Sequence, residues 1–313
     1  MEEFGPKVSV IITTHNRGHL VSKAIQSVMN QTYQNFEMVI VDDGSTDNTE
    51  KIVKGFGDEK IQYIRHESNK RVSAARNTGI QMAKGKYIAL LDDDDEWFPT
   101  KLEKQVKKFE ESSERTGLIY TGVIVKSGNT GEVFGEMLPT LRGKLYMDFI
   151  NRNIIPTSSS MIRKTCFQEV GFFDESITFD EDWDLWIRIS KRYEFDYIPE
   201  VLVSYYIHGI QITAKLDVKI RGRERFIKKH YLDFSKYPSI LAKHLKRVGK
   251  WHAISGNVRE GRNYFWNSIK TFPLKNSAYL HFLISLLPTP IYKNVLKRYY
   301  FKKEKAVNYG YWA

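Results

Sequence analysis

Tyr87-Ile88-Ala89-Leu90-Leu91-Asp92-Asp93-Asp94-Asp95 is the stretch from which the fold follows. Its first five residues suit a short buried strand. Four carboxylates follow at once, and they repel one another. A plain surface turn has no need of them. A divalent cation relieves the repulsion, and hard cations such as Mg²⁺ or Mn²⁺ choose carboxylate oxygen. The C-terminal end of a strand is also where open α/β sheets place ligands. The run therefore predicts a metal at this edge with a phosphate on it; a solvated acidic loop is the plainer alternative.

The flanking sequence supplies more strands of the same kind. Val8–Thr14, Phe36–Val41 and Ile61–Ile64 read as strands. Between them Leu20–Asn30, Thr46–Phe56 and Ser73–Ala83 read as helices, the last two stopped near Gly57 and Gly85. The order β-α-β-α-β-α-β predicts a parallel, doubly wound α/β sheet. Further on, a charged amphipathic helix is expected over Lys101–Glu114, strands over Leu118–Lys126 and Glu132–Glu136, and a helix over Asp182–Arg192. From about residue 216 basic and aromatic helical patterns take over, with one degenerate helix–turn–helix at Gly249–Pro273.

The 313 residues are 42% hydrophobic, enough for one large domain or two smaller ones. The net charge of +11 is uneven: residues 216–313 hold 21 Lys+Arg against 5 Asp+Glu, a net +16, which leaves −5 for residues 1–215. That asymmetry predicts two parts, 1–215 and 216–313, the second facing an anionic surface. The single cysteine, Cys166, allows no internal disulfide and reads as buried filler. No basic-then-apolar leader is present, and no apolar stretch reaches the roughly 18 to 20 residues of a membrane span. A cytoplasmic location is expected.

Three acidic groups follow separate strands or aromatic segments. Asp42-Asp43 can accept hydrogen bonds from a base or ribose, or cap the next helix. Asp92–Asp95 is the metal candidate. Asp180-Glu181-Asp182 opens a helix, where a carboxylate is either a cap or a general base taking a proton from an attacking hydroxyl. Trp183 and Trp186 offer faces to a sugar ring or fill the core. His208 is a metal ligand or a structural histidine, and Arg76 a phosphate contact or a surface arginine. There is no P-loop, no Gly-x-Gly-x-x-Gly after the first strand and no Gly-x-Ser-x-Gly elbow.

Taken in order, Val8–Arg17, Ser27–Tyr33, Val39–Asp47, Ala74–Gly79, Leu91–Trp97 and Glu181–Trp183 resemble the family 2 glycosyltransferases, inverting enzymes of the GT-A fold. The resemblance spans about the first two thirds of the chain. It implies a Rossmann-like, mostly parallel central sheet flanked by helices, followed here by a basic helical region. It implies that Thr13 and Asp43 line a nucleotide pocket, Asp43 reaching the base, and that Asp92 and Asp94 form an Asp-x-Asp pair; Arg76, Asp92 and Asp93 are expected to complete the donor-binding set. Asp94 would lie closest to Mn²⁺ or Mg²⁺, Asp182 would be the general base, and His208 matches a late metal-ligating histidine of some members. Arg71 departs from the family pattern, where glycine is common. The Gln-x-x-Arg-Trp motif of processive synthases is absent after Asp182, which favours transfer of a single sugar.

The expected donor is a nucleotide-sugar, UDP-linked, and the acceptor a glycan or lipid-linked saccharide. The basic clusters Arg221–Arg225, Lys228-Lys229 and Lys297-Arg298 predict peripheral docking on an anionic membrane, at its inner face. Three rivals stand beside this: a metal-dependent nucleotidyltransferase, a basic nucleic-acid-binding protein, and an inactive sugar-binding module. The acidic first part and the lack of a nucleic-acid motif argue against nucleic acid as a partner.

Overall fold

Val8–Thr14 (β1) and Phe36–Asp42 (β2) are buried along their whole length, as central strands covered on both faces must be. In the computed structural model, which describes residues 5–208, 216–274 and 277–287, these two are interior strands of the sheet, flanked by β3 and β4. The chain runs β1, α1 (Gly18–Met29), β2, α2 (Thr49–Lys54), β3 (Ile61–Arg65), α3 (Val72–Met82), β4 (Tyr87–Asp92), β5 (Glu96–Trp97), α4 (Lys101–Glu111), β6 (Thr116–Ser127) and β7 (Val133–Met137). It continues with α5 (Tyr146–Asn151), a 3-10 turn (Thr157–Ser159), β8 (Met161–Arg163), α6 (Lys164–Val170), α7 (Glu181–Ser190) and β9 (Glu194–Ile207). Then come α8 (Leu216–Lys229), α9 (Tyr231–Ser235), α10 (Pro238–Ser255), α11 (Val258–Thr271) and α12 (Ala278–Ile284).

The sheet order is β3-β2-β1-β4-β8-β6-β9-β5, with β7 paired to β6. Strands β3, β2, β1 and β4 are parallel, as the alternating pattern predicts. The three-residue β8, too short to show in periodicity, runs antiparallel between β4 and β6. The chain leaves β1 toward β2 and β3, then returns to β4 on the other side. This reversal is the topological switch point where such sheets open a ligand crevice. Helix α3 lies close against the sheet, for a Cβ on Gly79 would come within 2.5 Å of Ile11 Cγ2.

One helix is much shorter than its sequence limits for a local reason, and another carries an unexpected burial. Thr46–Phe56 shortens to α2 because Asn16 Oδ1 takes the N–H groups of Thr46 at 2.7 Å and Asp47 at 3.3 Å. Asp47 then accepts the Thr49 N–H and opens the helix. Helix α4 begins on Lys101 as expected, but that lysine is fully buried rather than on a charged face.

The chain divides into two compact units: the described residues of Met1–Phe149, Ile155–Glu175 and Glu181–Ile210, and those of Ile150–Ile154, Ser176–Asp180 and Gln211–Ala313. Charge alone gave no sign of the two short excursions into the second unit. Within that unit α10 and α11 form the helix–turn–helix, and α10 starts at Pro238, well before Gly249. Gly249 and Gly261 allow the crossing: a Cβ on Gly261 would come within 2.7 Å of the Gly249 carbonyl oxygen. Arg223, counted in sequence with the outward-facing basic cluster, is instead buried. Its guanidinium clamps Asp180 at 2.7 and 2.9 Å among the rings of Phe179, Phe226 and Trp251. Lys297, Arg298, Tyr299 and Tyr300 lie outside the described residues.

Candidate active site

Strand register assembles the site. Thr13 is level with Val41 of β2 and Asp92 of β4, and Thr14 with Asp42. The three strands thus deliver Thr13, the Asp42-Asp43 pair and the Asp92–Asp95 turn to one edge. Thr13 is nearly buried there.

Neither carboxylate of the first pair caps α2. Asp42 accepts the Ser45 N–H at 2.8 Å and the Tyr63 hydroxyl at 2.6 Å. Burial, reinforced by that bond, pushes the Tyr63 phenol above its ordinary range. Asp43 accepts from His66 Nδ1 at 2.7 Å, the Lys70 N–H at 2.8 Å and the Arg71 N–H at 2.7 Å. It therefore ties the loop 66–71 to the end of β2. Arg71 adopts φ 78° and ψ 163°, a region costly for any side chain, and the Asp43 bond helps hold it.

The Asp92–Asp95 run is not a free loop. Asp92 accepts from Arg76 at 2.7 Å, and Arg76 also reaches Glu181 at 3.0 Å. Arg76 is buried between the second and third acidic groups, which sets aside the surface-arginine alternative. Asp93 and Asp94 share Nη1 of Arg17, at 2.9 and 3.1 Å. Burial first, and then Asp94, push the Asp93 carboxyl up to about 7 against the pull of Arg17. The Asp94 carboxyl is raised by burial and by Asp92, opposed by Arg17 and by nearby His208. Asp95 is raised by burial well beyond the carboxylate range, though Ser158 Oγ donates to it at 2.5 Å and the Tyr206 N–H at 3.0 Å.

Glu181 and Asp182 stand in the first turn of α7. Asp182 Oδ1 accepts the Trp183 N–H at 2.7 Å and Oδ2 accepts from the Thr157 hydroxyl at 3.3 Å. Trp183 and Trp186 are buried core, their indole N–H groups donating to the carbonyls of Phe149 and Ile155, so neither presents a face to a sugar. Cys166 is buried filler, as expected.

The 3-10 turn links all of this and sequence reasoning passed over it. Thr157 holds Asp182. Ser158 donates to Asp95 and accepts the Asp92 N–H at 3.1 Å. The Ser158 carbonyl takes the Trp97 indole N–H at 2.8 Å, and the Ser159 carbonyl takes Gln105 at 3.1 Å. The only hint in sequence was the polar run Thr157-Ser158-Ser159-Ser160 just before an apolar strand. Arg17 and His66 were missed as well, each lying far in sequence from the carboxylate it meets.

The donor set suits a divalent cation that completes its shell from a ligand. Among the described residues no three His, Cys, Asp or Glu side chains form a ready cation cage. The buried His208 Nε2 has no hydrogen-bond partner in the protein, and His208 lies near enough to Asp94 to act on its carboxyl. Mg²⁺-type ions bind through one or two carboxylates plus substrate phosphate, so a partial protein shell is the expected form. Gly128 makes room for the histidine: a Cβ there would lie 2.1 Å from His208 Cε1.

A parallel half-sheet that reverses at a switch point, with acidic turns at the ends of its strands, is the architecture of the GT-A fold. Residues 9–171 match the family model described as glycosyl transferase family 2, and the chain belongs to that family. An uncharacterized glycosyltransferase of Rickettsia prowazekii is 31% identical over 67% of this chain and 67% of its own length. The Escherichia coli K12 protein WcaA, named for colanic acid biosynthesis glycosyl transfer, is 32% identical over 72% of this chain and 81% of its own. Other relatives are longer, and the chain spans 36% of one from Rickettsia felis and 30% of one from Rickettsia bellii. In fold it resembles Staphylococcus aureus TarS 1–349 in complex with UDP-GlcNAc (TM-score 0.62, 16% identity, 95% of this chain and 92% of that one). It also resembles the Pyrobaculum calidifontis mannosyltransferase PcManGT in complex with GDP-Man and Mn²⁺ (TM-score 0.53, 16% identity, 98% and 88%).

Proposed function

We propose that this chain moves a single sugar from a nucleotide-sugar, UDP-linked, to a hydroxyl of a glycan or lipid-linked saccharide, with inversion at the anomeric carbon. The observation that carries the reading is the meeting of Asp92–Asp95 and Asp182 on one 3-10 turn at the switch point of the sheet. Residues 1–215 form the catalytic part and 216–313 a basic helical part. The reaction would take place at the inner face of the membrane.

Thr13, the Asp43-braced loop 66–71 and Asp92 line the place for the nucleotide. Asp93, tied to Arg17, keeps the acidic turn in shape. Arg76 neutralises Asp92 and Glu181, and so holds α7 against that turn. Asp94 and His208 would hold Mn²⁺ or Mg²⁺, which when bound offsets charge on the leaving diphosphate. Asp182 takes the proton of the acceptor hydroxyl as its oxygen forms the new bond to the anomeric carbon; the bond to the diphosphate breaks on the opposite face.

The test is release of nucleoside diphosphate from UDP-, GDP- and dTDP-sugars, with Mn²⁺ and with EDTA. Metal-dependent release from one donor is expected. Asp182→Asn should retain donor binding and lose ~10²–10⁴-fold in transfer to acceptor. Unchanged transfer would remove Asp182 from the role of base.

A further inference from the structure

Helix α12 is apolar on both faces. Ala278 and His281 turn inward: Ala278 packs with Ala253, Val258, Phe265 and Ile269, and the His281 ring stacks on Phe265 at 5.4 Å. Ser285 lies on the same inner side and holds Arg262. Opposite them stand Tyr279, Leu280, Leu283, Leu286 and Leu287, each between 43% and 61% exposed. Tyr279, Leu280 and Leu283 fall on one side of the helix and Leu286 and Leu287 follow in the turn after it, where a solvated helix end normally carries polar residues. Trp266 of α11 extends this apolar surface, 45% exposed, its ring 5.6 Å from Phe282. Contiguous exposed apolar surface of this kind marks an interaction site.

Cations border this surface. Lys270 lies 5.4 Å over the Trp266 ring. Lys246 donates to Ser277, and Lys246 and Lys250 both act on His281. From Lys236 to Leu287 the sequence has nine Lys+Arg and one acidic residue, Glu260. A second copy of this face would bring like charges together around the leucines. An anionic bilayer accepts both features at once: apolar side chains enter the boundary between headgroups and acyl chains, and long basic side chains reach the phosphates. No helix among the described residues is long and apolar enough to cross a membrane.

We propose that the α11–α12 face of the second unit docks on an anionic phospholipid bilayer, inserting Leu280, Leu283, Leu286, Leu287 and Trp266 with Lys246, Lys250 and Lys270 at the headgroups. The surface gives the lipid-linked acceptor proposed above a place to be met; it rests on that reading for its purpose and is tested apart from it.

The experiment is flotation of the full chain with phosphatidylcholine vesicles, with and without phosphatidylglycerol, across a salt series. Binding is expected only with phosphatidylglycerol, and it should weaken with salt. The double variant Leu283→Ser/Leu286→Ser should bind at least about ten-fold more weakly, with donor hydrolysis and circular dichroism unchanged. The pair Lys246→Gln/Lys250→Gln should weaken binding and flatten its salt dependence. No binding at low salt, equal binding to neutral vesicles, or undiminished binding by the leucine variant overturns the assignment. So does a wild-type dimer in sedimentation that the leucine variant converts to monomer, because the face then belongs to a second copy. Loss of donor hydrolysis in the wild type would overturn the transferase reading and leave the vesicle result standing.

Discussion

Replacing Ser158 with alanine should loosen the acidic turn from beneath. Ser158 is 1% exposed and its hydroxyl serves two groups of that turn. It donates to Asp95 at 2.5 Å and accepts the Asp92 N–H at 3.1 Å. The alanine variant loses a bond to a carboxyl group and leaves a backbone N–H short of an acceptor. Each costs about 1–3 kcal/mol where water cannot enter. The two overlap, since one oxygen serves both, and Asp95 keeps the Tyr206 N–H. The net loss should be ~2–4 kcal/mol. Ser160→Ala is the matched control, because the Ser160 hydroxyl is equally buried but donates only locally, to the Thr157 carbonyl at 2.7 Å. It should cost ~1 kcal/mol. Urea unfolding followed by tryptophan fluorescence is a suitable readout, as Trp97 is bonded to the Ser158 carbonyl. Donor hydrolysis should show a raised KM in Ser158→Ala and not in Ser160→Ala. Equal, small losses in the two variants, with unchanged KM, would refute the role given to Ser158.

Two further outcomes follow from packing and burial. His244, in the second unit, is fully enclosed; its Nε2 meets the Ile150 carbonyl at 3.2 Å and its Nδ1 faces Arg223 at 3.4 Å. Burial, with Arg223, Arg247 and Lys243 nearby, pushes it down to about 3. The unfolded chain therefore binds a proton that the fold excludes, so the contribution is complete above roughly pH 6.5 and is lost as pH falls toward about 3, up to ~4 kcal/mol. His244→Gln should flatten the acid limb of stability against pH, and an unchanged slope would count against the assignment. Gly79→Ala should destabilise by about 1–3 kcal/mol, because its Cβ meets Ile11 Cγ2 at 2.5 Å and Val41 Cγ2 at 3.3 Å. A melting temperature equal to that of the wild type would show that α3 can retreat from β1.

The edge of the sheet was legible because both its signals are local. Apolar runs such as Val8–Thr14 and Tyr87–Leu91 announce buried strands, and the carboxylates that end them fall where register then places them side by side. The partners of those carboxylates were not legible, since each arrives from far along the chain: Arg17 to Asp93, Ser158 to Asp95, Thr157 to Asp182. Periodicity assigns a residue to a face and says nothing of what the opposing face carries. Charge is the sharper case. Lys101 opens a helix of strongly charged composition, yet it is buried with its ammonium 3.8 Å from the Trp97 ring and bonded to Gln105. Desolvation alone holds that amine well below the lysine range. Arg223 and Arg225 likewise count toward the basic excess, but one clamps Asp180 and the other donates to the Ser176 carbonyl. A sum of charges cannot separate cations that stitch a unit together from cations that face outward. Within the second unit Lys246, Lys250 and Lys270 lie beside the exposed leucines of α12 and the turn after it, and that coincidence, rather than the +16 itself, singles out this face for a membrane.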